Sequence, residues 1–187
     1  MVKIMKEWYS FQAQKEKKIP LRGAKDVDTP PEKVVQRKFE DKGTYIVTIE
    51  YNPQGMWYKD VTAKIGKKDT KVTALEMPES GVILEPGDPM LPIEGLYVAL
   101  PSGAELVDIK VGEVESMEFP GEVDIIPAPE PTKDGGKYDW KEPTYKQKRK
   151  IYQSDDEYPK ELFKLLSVNY IGSVKIAHLI MYPLHYK

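Results

Sequence analysis

The six residues Gly87-Asp88-Pro89-Met90-Leu91-Pro92 limit the folds open to this chain more than any other stretch. Two prolines three apart exclude a helix interior and a central strand, because each lacks a backbone donor and fixes φ near −65°. Each also pushes its predecessor, here Asp88 and Leu91, toward extended conformations. The segment reads as a rigid, kinked lead-in that turns Met90 and Leu91 inward before the strand-like run Ile93 to Leu100. The turn Pro101-Ser102-Gly103 then closes that strand.

Period-two alternation dominates elsewhere. Tyr45, Val47, Ile49 and Tyr51 alternate with Ile46, Thr48 and Glu50, which predicts a strand with one apolar face. Asn52-Pro53-Gln54-Gly55 predicts a turn, and Trp57 to Ile65 a further strand. Val107, Ile109 and Val111 alternate with Leu106, Asp108 and Lys110, which predicts a half-buried strand over Glu105–Val111. Val174, Ile176, His178, Ile180 and Tyr182 share one face of a long C-terminal strand. Strands recurring between Gly/Pro turns point to an antiparallel all-β sandwich, jelly-roll-like, with one or two short helices. One helix is expected after Pro159, where Leu162, Phe163, Leu165 and Leu166 could cover one side of two turns. Thr29-Pro30-Pro31-Glu32 has the spacing of a capping box and suggests another. Residues 1–42 read as a partly irregular extension and 43–187 as the sandwich.

Composition narrows the chemistry. The 28 basic and 30 acidic residues nearly cancel, which gives no reason to expect a nucleic-acid partner. Cysteine is absent, so there is no disulfide framework, thiolate metal site or thiol nucleophile. The only asparagines are Asn52 and Asn169, and with a Lys/Glu-rich surface this leans toward a thermophilic source. Met1 to Pro20 lacks the apolar core of about 7–15 residues that a signal peptide carries. Ile176 to Leu184 is too short to span a membrane and contains His178. The two histidines, His178 and His185, lie seven apart, which puts them on opposite faces of a strand and makes a shared metal site a poor fit. No cofactor is expected. Asp155, Asp156 and Glu157 are weak candidates for a calcium ion, since they lack the ligand spacing of an EF-hand loop and read more readily as a solvated, negatively charged lead-in to the helix expected after Pro159. Ser102 lacks a nucleophile elbow and reads as a turn residue. The aromatic residues Trp8, Tyr9, Trp57, Tyr58, Tyr138 and Trp140 read as core more readily than as a glycan groove.

Residues 127–150 do not read as core. They hold Pro127, Pro129, Pro131 and Pro143, the pair Gly135-Gly136, and the cations Lys133, Lys137, Lys141, Lys146, Lys148, Arg149 and Lys150. A loop this long is a mobile connector or an interaction loop.

The order Gly87-x-Pro89-x-Leu91-Pro92, strand, Pro101-Ser102-Gly103 turn resembles the prodomain of gingipain-type, caspase-clan cysteine peptidases. Ile126-Pro127-Ala128-Pro129-Glu130-Pro131 resembles that family's Ala-Pro segment. Tyr152 to Glu161, with Tyr158-Pro159-Lys160-Glu161, is similar to its Tyr-Pro-x-Glu element, and Tyr182-Pro183-Leu184-His185-Tyr186 to its closing Pro-x-x-Tyr strand. The resemblance covers roughly residues 43–187. It implies a non-catalytic chain that keeps the peptidase latent and assists its folding, with the catalytic Cys and His in a downstream domain. It implies a secreted or cell-envelope protein whose partner is the cognate peptidase domain. It also implies a further strand beyond Tyr186, without which an exposed edge would invite homo-oligomers. The inhibitory loop is expected to centre on Lys137, then Lys133, beside Gly135 and Gly136, with Gly87, Pro89, Leu91 and Pro92 structural. The competing expectations are a free-standing cell-surface binding module, for glycan or protein, and an autonomous protease inhibitor.

Overall fold

The computed structural model describes residues 17–21, 26–40, 43–131 and 143–187. Its strands are β1 (Lys17–Pro20), β2 (Glu32–Glu40), β3 (Thr44–Asn52), β4 (Gly55–Ile65), β5 (Lys68–Glu76), β6 (Gly81–Val82), β7 (Pro92–Leu100), β8 (Phe163–Ile171) and β9 (Val174–Met181). They form a three-stranded sheet β1-β4-β5, a hairpin β2-β3, and a four-stranded sheet β6-β7-β9-β8, all paired antiparallel. The fold is an all-β sandwich, as the alternation predicts. β1 and β2 lie in the N-terminal stretch, and both pair with strands beyond residue 43.

Two proline-rich segments extend the first sheet. Ile125 bridges Thr73 of β5 in parallel, and Pro89 bridges Pro127 antiparallel. Ile126 donates to the Thr73 carbonyl (2.9 Å), Ala128 to that of Asp88 (2.7 Å) and Glu130 to that of Thr144 (2.8 Å). Pro127, Pro129 and Pro131 stand at the alternate positions, where none of these bonds needs a donor. Proline is tolerated in a sheet on that condition.

Consecutive residues of these segments serve two cores, because strand side chains alternate between faces. Leu75, Leu91 and Ile125 join Ile19, Met56, Met77 and Ile83 in one cluster, against which Ile93 of β7 and Tyr182, just past β9, pack. Val72, Ala74, Met90, Ile126 and Ala128 form the other with Ala63, and Tyr145 lies against it. The motif does turn Met90 and Leu91 inward, but into different cores.

Three local expectations fail, two of them because a neighbouring strand offers a hairpin partner. The helix expected after Pro159 is strand β8, which forms a hairpin with β9 through Gly172 (φ 62°). A register shift between Leu165 and Ser167 absorbs the Leu165-Leu166 doublet that imitated a helical face. The capping-box spacing at Thr29 starts no helix, since Glu32–Glu40 pairs residue for residue with β3. The described residues contain one short helix, α1 (Arg149–Tyr152). Glu105–Val111 is not a strand, and Val107 is 93% exposed. β7 pairs with β9 from Glu94 to Leu100 on one side, and Glu105–Val111 adds to neither side of it. On β9 the fully buried side chains are Ala177 and Leu179, opposite the face that carries His178.

Gly87 adopts φ 84°, and a Cβ there would stand 2.9 Å from the Lys146 carbonyl oxygen. Gly87→Ala should therefore lower unfolding stability by at least about 1–2 kcal/mol from the left-handed backbone alone. Urea unfolding followed by far-UV circular dichroism, with a β-dominated native spectrum, checks both the fold and the loss.

Candidate functional site

The Asp88 carboxylate gathers the sequence motifs. It is buried, its Oδ1 lies 2.6 Å from Lys148 Nζ, and its Oδ2 accepts the Tyr158 hydroxyl. Gly87 N–H donates to the Ala128 carbonyl (2.9 Å), and Lys148 N–H to that of Gly87 (3.0 Å). Tyr158 and Tyr186 exchange both backbone hydrogen bonds, at 2.8 and 2.7 Å. The Tyr152 hydroxyl donates to the Ile125 carbonyl (2.8 Å), and its ring lies 5.3 Å from that of Tyr186. The Tyr158-Pro159 peptide is cis. All four motifs thus meet within one network. Pro89, Leu91, Pro92 and Pro127 are among its fully buried side chains.

This network supports the stem of the 127–150 segment. Pro129 bridges Tyr145 antiparallel, Tyr145 bridges Ile65, and Gly66 N–H donates to the Tyr145 carbonyl (2.9 Å). Lys146 Nζ lies 3.7 Å from Glu130 across the stem. The chain leaves this base at Pro131 and returns at Pro143. Lys133, Lys137, Gly135 and Gly136 lie between, outside the described residues.

Electrostatics follow the burial. Desolvation, then the hydrogen bond and charge of Asp88, push the Tyr158 phenol above its usual range. Desolvation also raises Tyr152, with nearby Tyr186, Asp124 and Asp88 adding to it. Asp88 holds Lys148 more firmly protonated, chiefly through their hydrogen bond.

The remaining candidates are dispersed. Lys160 Nζ sits 2.8 Å from Asp156 and keeps its carboxyl below the usual range. Neither Asp155, Asp156 and Glu157 nor any other His/Asp/Glu group among the described residues is arranged to hold a metal ion. His178 stacks on Tyr97 at 4.3 Å, and both His185 ring nitrogens are buried without a partner. Ser102 lies in the turn after β7. Trp57 donates to Asp28 (2.9 Å), and Tyr58 packs edge-on against Phe119 (5.1 Å). Asp88, Lys148 and Tyr145 carry roles the sequence reading did not assign. The signal available was Asp88 itself, an acid set between Gly87 and Pro89 in the most constrained stretch.

The sandwich thus holds together both described ends of the 127–150 segment, at Pro129 and Tyr145. The chain belongs to the Propeptide_C25 family, whose model matches residues 39–187, and is a gingipain-type prodomain, the non-catalytic part of a precursor. It is similar to a solved structure titled for the zymogenic latency of gingipain K from Porphyromonas gingivalis. That match has 18% identity and TM-score 0.61, and covers 92% of this chain and 88% of the other. A second match is the complex of Porphyromonas gingivalis RgpB pro- and mature domains, at 22% identity and TM-score 0.49, covering 71% and 68%. No curated protein matches the chain.

Replacing Asp88 by Ala strands the Tyr158 hydroxyl and should cost about 1–3 kcal/mol. The Lys148 half of the pair faces solvent and adds little. Asp88→Ala in urea unfolding at pH 7 checks this. Alkaline behaviour is a separate expectation. Folded Tyr152 and Tyr158 bind their protons more tightly than unfolded tyrosine, so stability holds below about pH 10 and falls as pH rises beyond it. Unfolding midpoints at pH 8, 9, 10 and 11 should be flat, then fall, and the fall should shrink in Tyr152→Phe.

Proposed function

We propose that this prodomain keeps the cysteine peptidase of its own precursor latent by covering the substrate cleft, and that it assists that peptidase's folding. The observation that carries the reading is the closed stem at Pro129 and Tyr145. It fixes both ends of a segment whose centre holds Lys133, Gly135, Gly136 and Lys137. A substrate-like side chain inhibits only when it is presented in a pose that resists turnover, and a rigid stem lowers the ordering cost of that pose. Alternating prolines stiffen one arm, and glycines allow close backbone approach. The resemblance to peptidases that cut after Arg or Lys makes a cation the anchor, with Lys137 first and Lys133 next. The gingipain K structure, whose subject is zymogenic latency, supports the reading. Its setting is secreted or cell-envelope. Exposed Leu165, Leu166, Tyr170 and Ile171 mark β8, the last strand of its sheet, as the place where a second copy would add.

Inhibition of the partner peptidase tests it. Truncating one partner of a desolvated charge pair costs about 2–5 kcal/mol, so Lys133→Ala with Lys137→Ala should raise the inhibition constant by about 30-fold or more. A double variant as potent as the parent would overturn the lysine mechanism.

A further inference from the structure

The hairpin β2-β3 presents a feature that latency through the 127–150 segment leaves unused. Its nine-residue strands pair only with each other among the described strands. A two-stranded hairpin by itself is at best marginally stable in water. One face alternates Gln36, Lys38 and Glu40 with Thr44, Thr48 and Glu50 across the pair, joined by Val34 and Ile46. The other sets Val35 against Ile49, Arg37 against Val47, Phe39 against Tyr45, and Lys33 against Tyr51. That second face carries six apolar or aromatic side chains, two cations and no carboxylate of its own. Phe39 is 74% exposed and stacks on Tyr45 at 4.5 Å, and Val35 is 42% exposed.

The root of the hairpin is pinned. Lys33 Nζ lies 2.6 Å from the Glu94 carboxylate of β7, which is buried. The Tyr51 hydroxyl is buried beside it, its phenol pushed up to about 12 by desolvation and by Glu94. The hairpin is thus anchored at one end, while the apolar side chains toward the other end, Phe39 above all, stay open.

We propose that this face is a second docking surface for the peptidase domain of the same precursor, seated on an apolar patch that supplies a carboxylate to Arg37. The proposal rests on the latency reading for the identity of the partner. Area and charge exclude a second copy as the occupant. Two strands of nine residues cover about 290 Å² at ~3.4 Å per residue and ~4.8 Å between strands. A stable dimer buries about 800 Å² per partner. Stacking two such faces would also bring the exposed Arg37 of each copy toward a like charge. A partner that touches the domain elsewhere supplies the missing area, and two linked contacts multiply in affinity. Arg37 forms no ion pair among the described residues, so a carboxylate is the group left for it to meet. Most of β2 precedes residue 39, where the family match begins.

The test uses the mature peptidase of this precursor in two forms, free and with its catalytic thiol blocked by a substrate-sized covalent inhibitor that fills the cleft. Binding of the parent domain, Phe39→Asp, Arg37→Glu and the Lys133/Lys137 double-alanine variant is measured against both. The parent should bind the blocked enzyme, and each hairpin variant should weaken binding to both forms by tenfold or more. The double-alanine variant should lose affinity only for the free form. A parent that binds free but not blocked enzyme, or hairpin variants that bind the blocked form as the parent does, overturns the docking surface and leaves the latency reading standing. A parent that binds neither form overturns both. Dimerisation of the domain in sedimentation, abolished by Phe39→Asp, would assign the face to a second copy and overturn the proposal. Should Phe39→Asp unfold the hairpin by circular dichroism, Arg37→Glu, which changes only an exposed charge, decides the matter.

Discussion

The buried carboxylate of Asp88 joins three segments that lie far apart in the chain. Its partners Lys148 and Tyr158 come from later parts of the chain, and the backbone around it pairs with Ala128 and Lys148. A buried charge costs several kcal/mol unless it is paired and hydrogen-bonded. Here the Tyr158 hydroxyl supplies the buried hydrogen bond, and the half-exposed Lys148 ammonium adds charge from the solvent side. These contacts join the lead-in, the Ala-Pro segment and the Tyr-Pro element into one body, with the closing strand added through the Tyr158–Tyr186 exchange.

The same node explains why proline is so frequent in a structure made of strands. Stiff segments lose little entropy on ordering, but they can enter a sheet only where no donor is missing. Alternating Pro127, Pro129 and Pro131 with Ile126, Ala128 and Glu130 satisfies both conditions at once. The stem that results ends at the Pro129–Tyr145 bridge, where the chain departs toward its cationic residues. Rigidity is thus greatest next to the part of the domain with the most to present.

The sequence made β3, β4 and the closing strand legible because their alternation is long and their turns are short. The motif segments were equally legible as rigid, inward-turning pieces, since proline geometry is local. What could not be read was which edges the alternating segments would meet. Glu105–Val111 has the right period, yet it joins none of the described sheets. Phe163–Ile171 has an apolar spacing that suits a helix, yet β9 pairs with it through the Gly172 turn. The role of Asp88 was hidden for a related reason: Tyr158 lies 70 residues away, and nothing local marks the pair. The buried link between Lys33 and Glu94, 61 residues apart, was hidden in the same way.

The exchange of hydrogen bonds between Tyr158 and Tyr186 carries a consequence for the order of events during synthesis. Contacts between residues far apart in sequence form late, because loop closure must precede them. The Tyr186 end of the network cannot form until the last motif has left the ribosome, so the earlier segments wait without their final restraint. A domain closed from its C-terminal side gains its last restraint only when its final motif is complete.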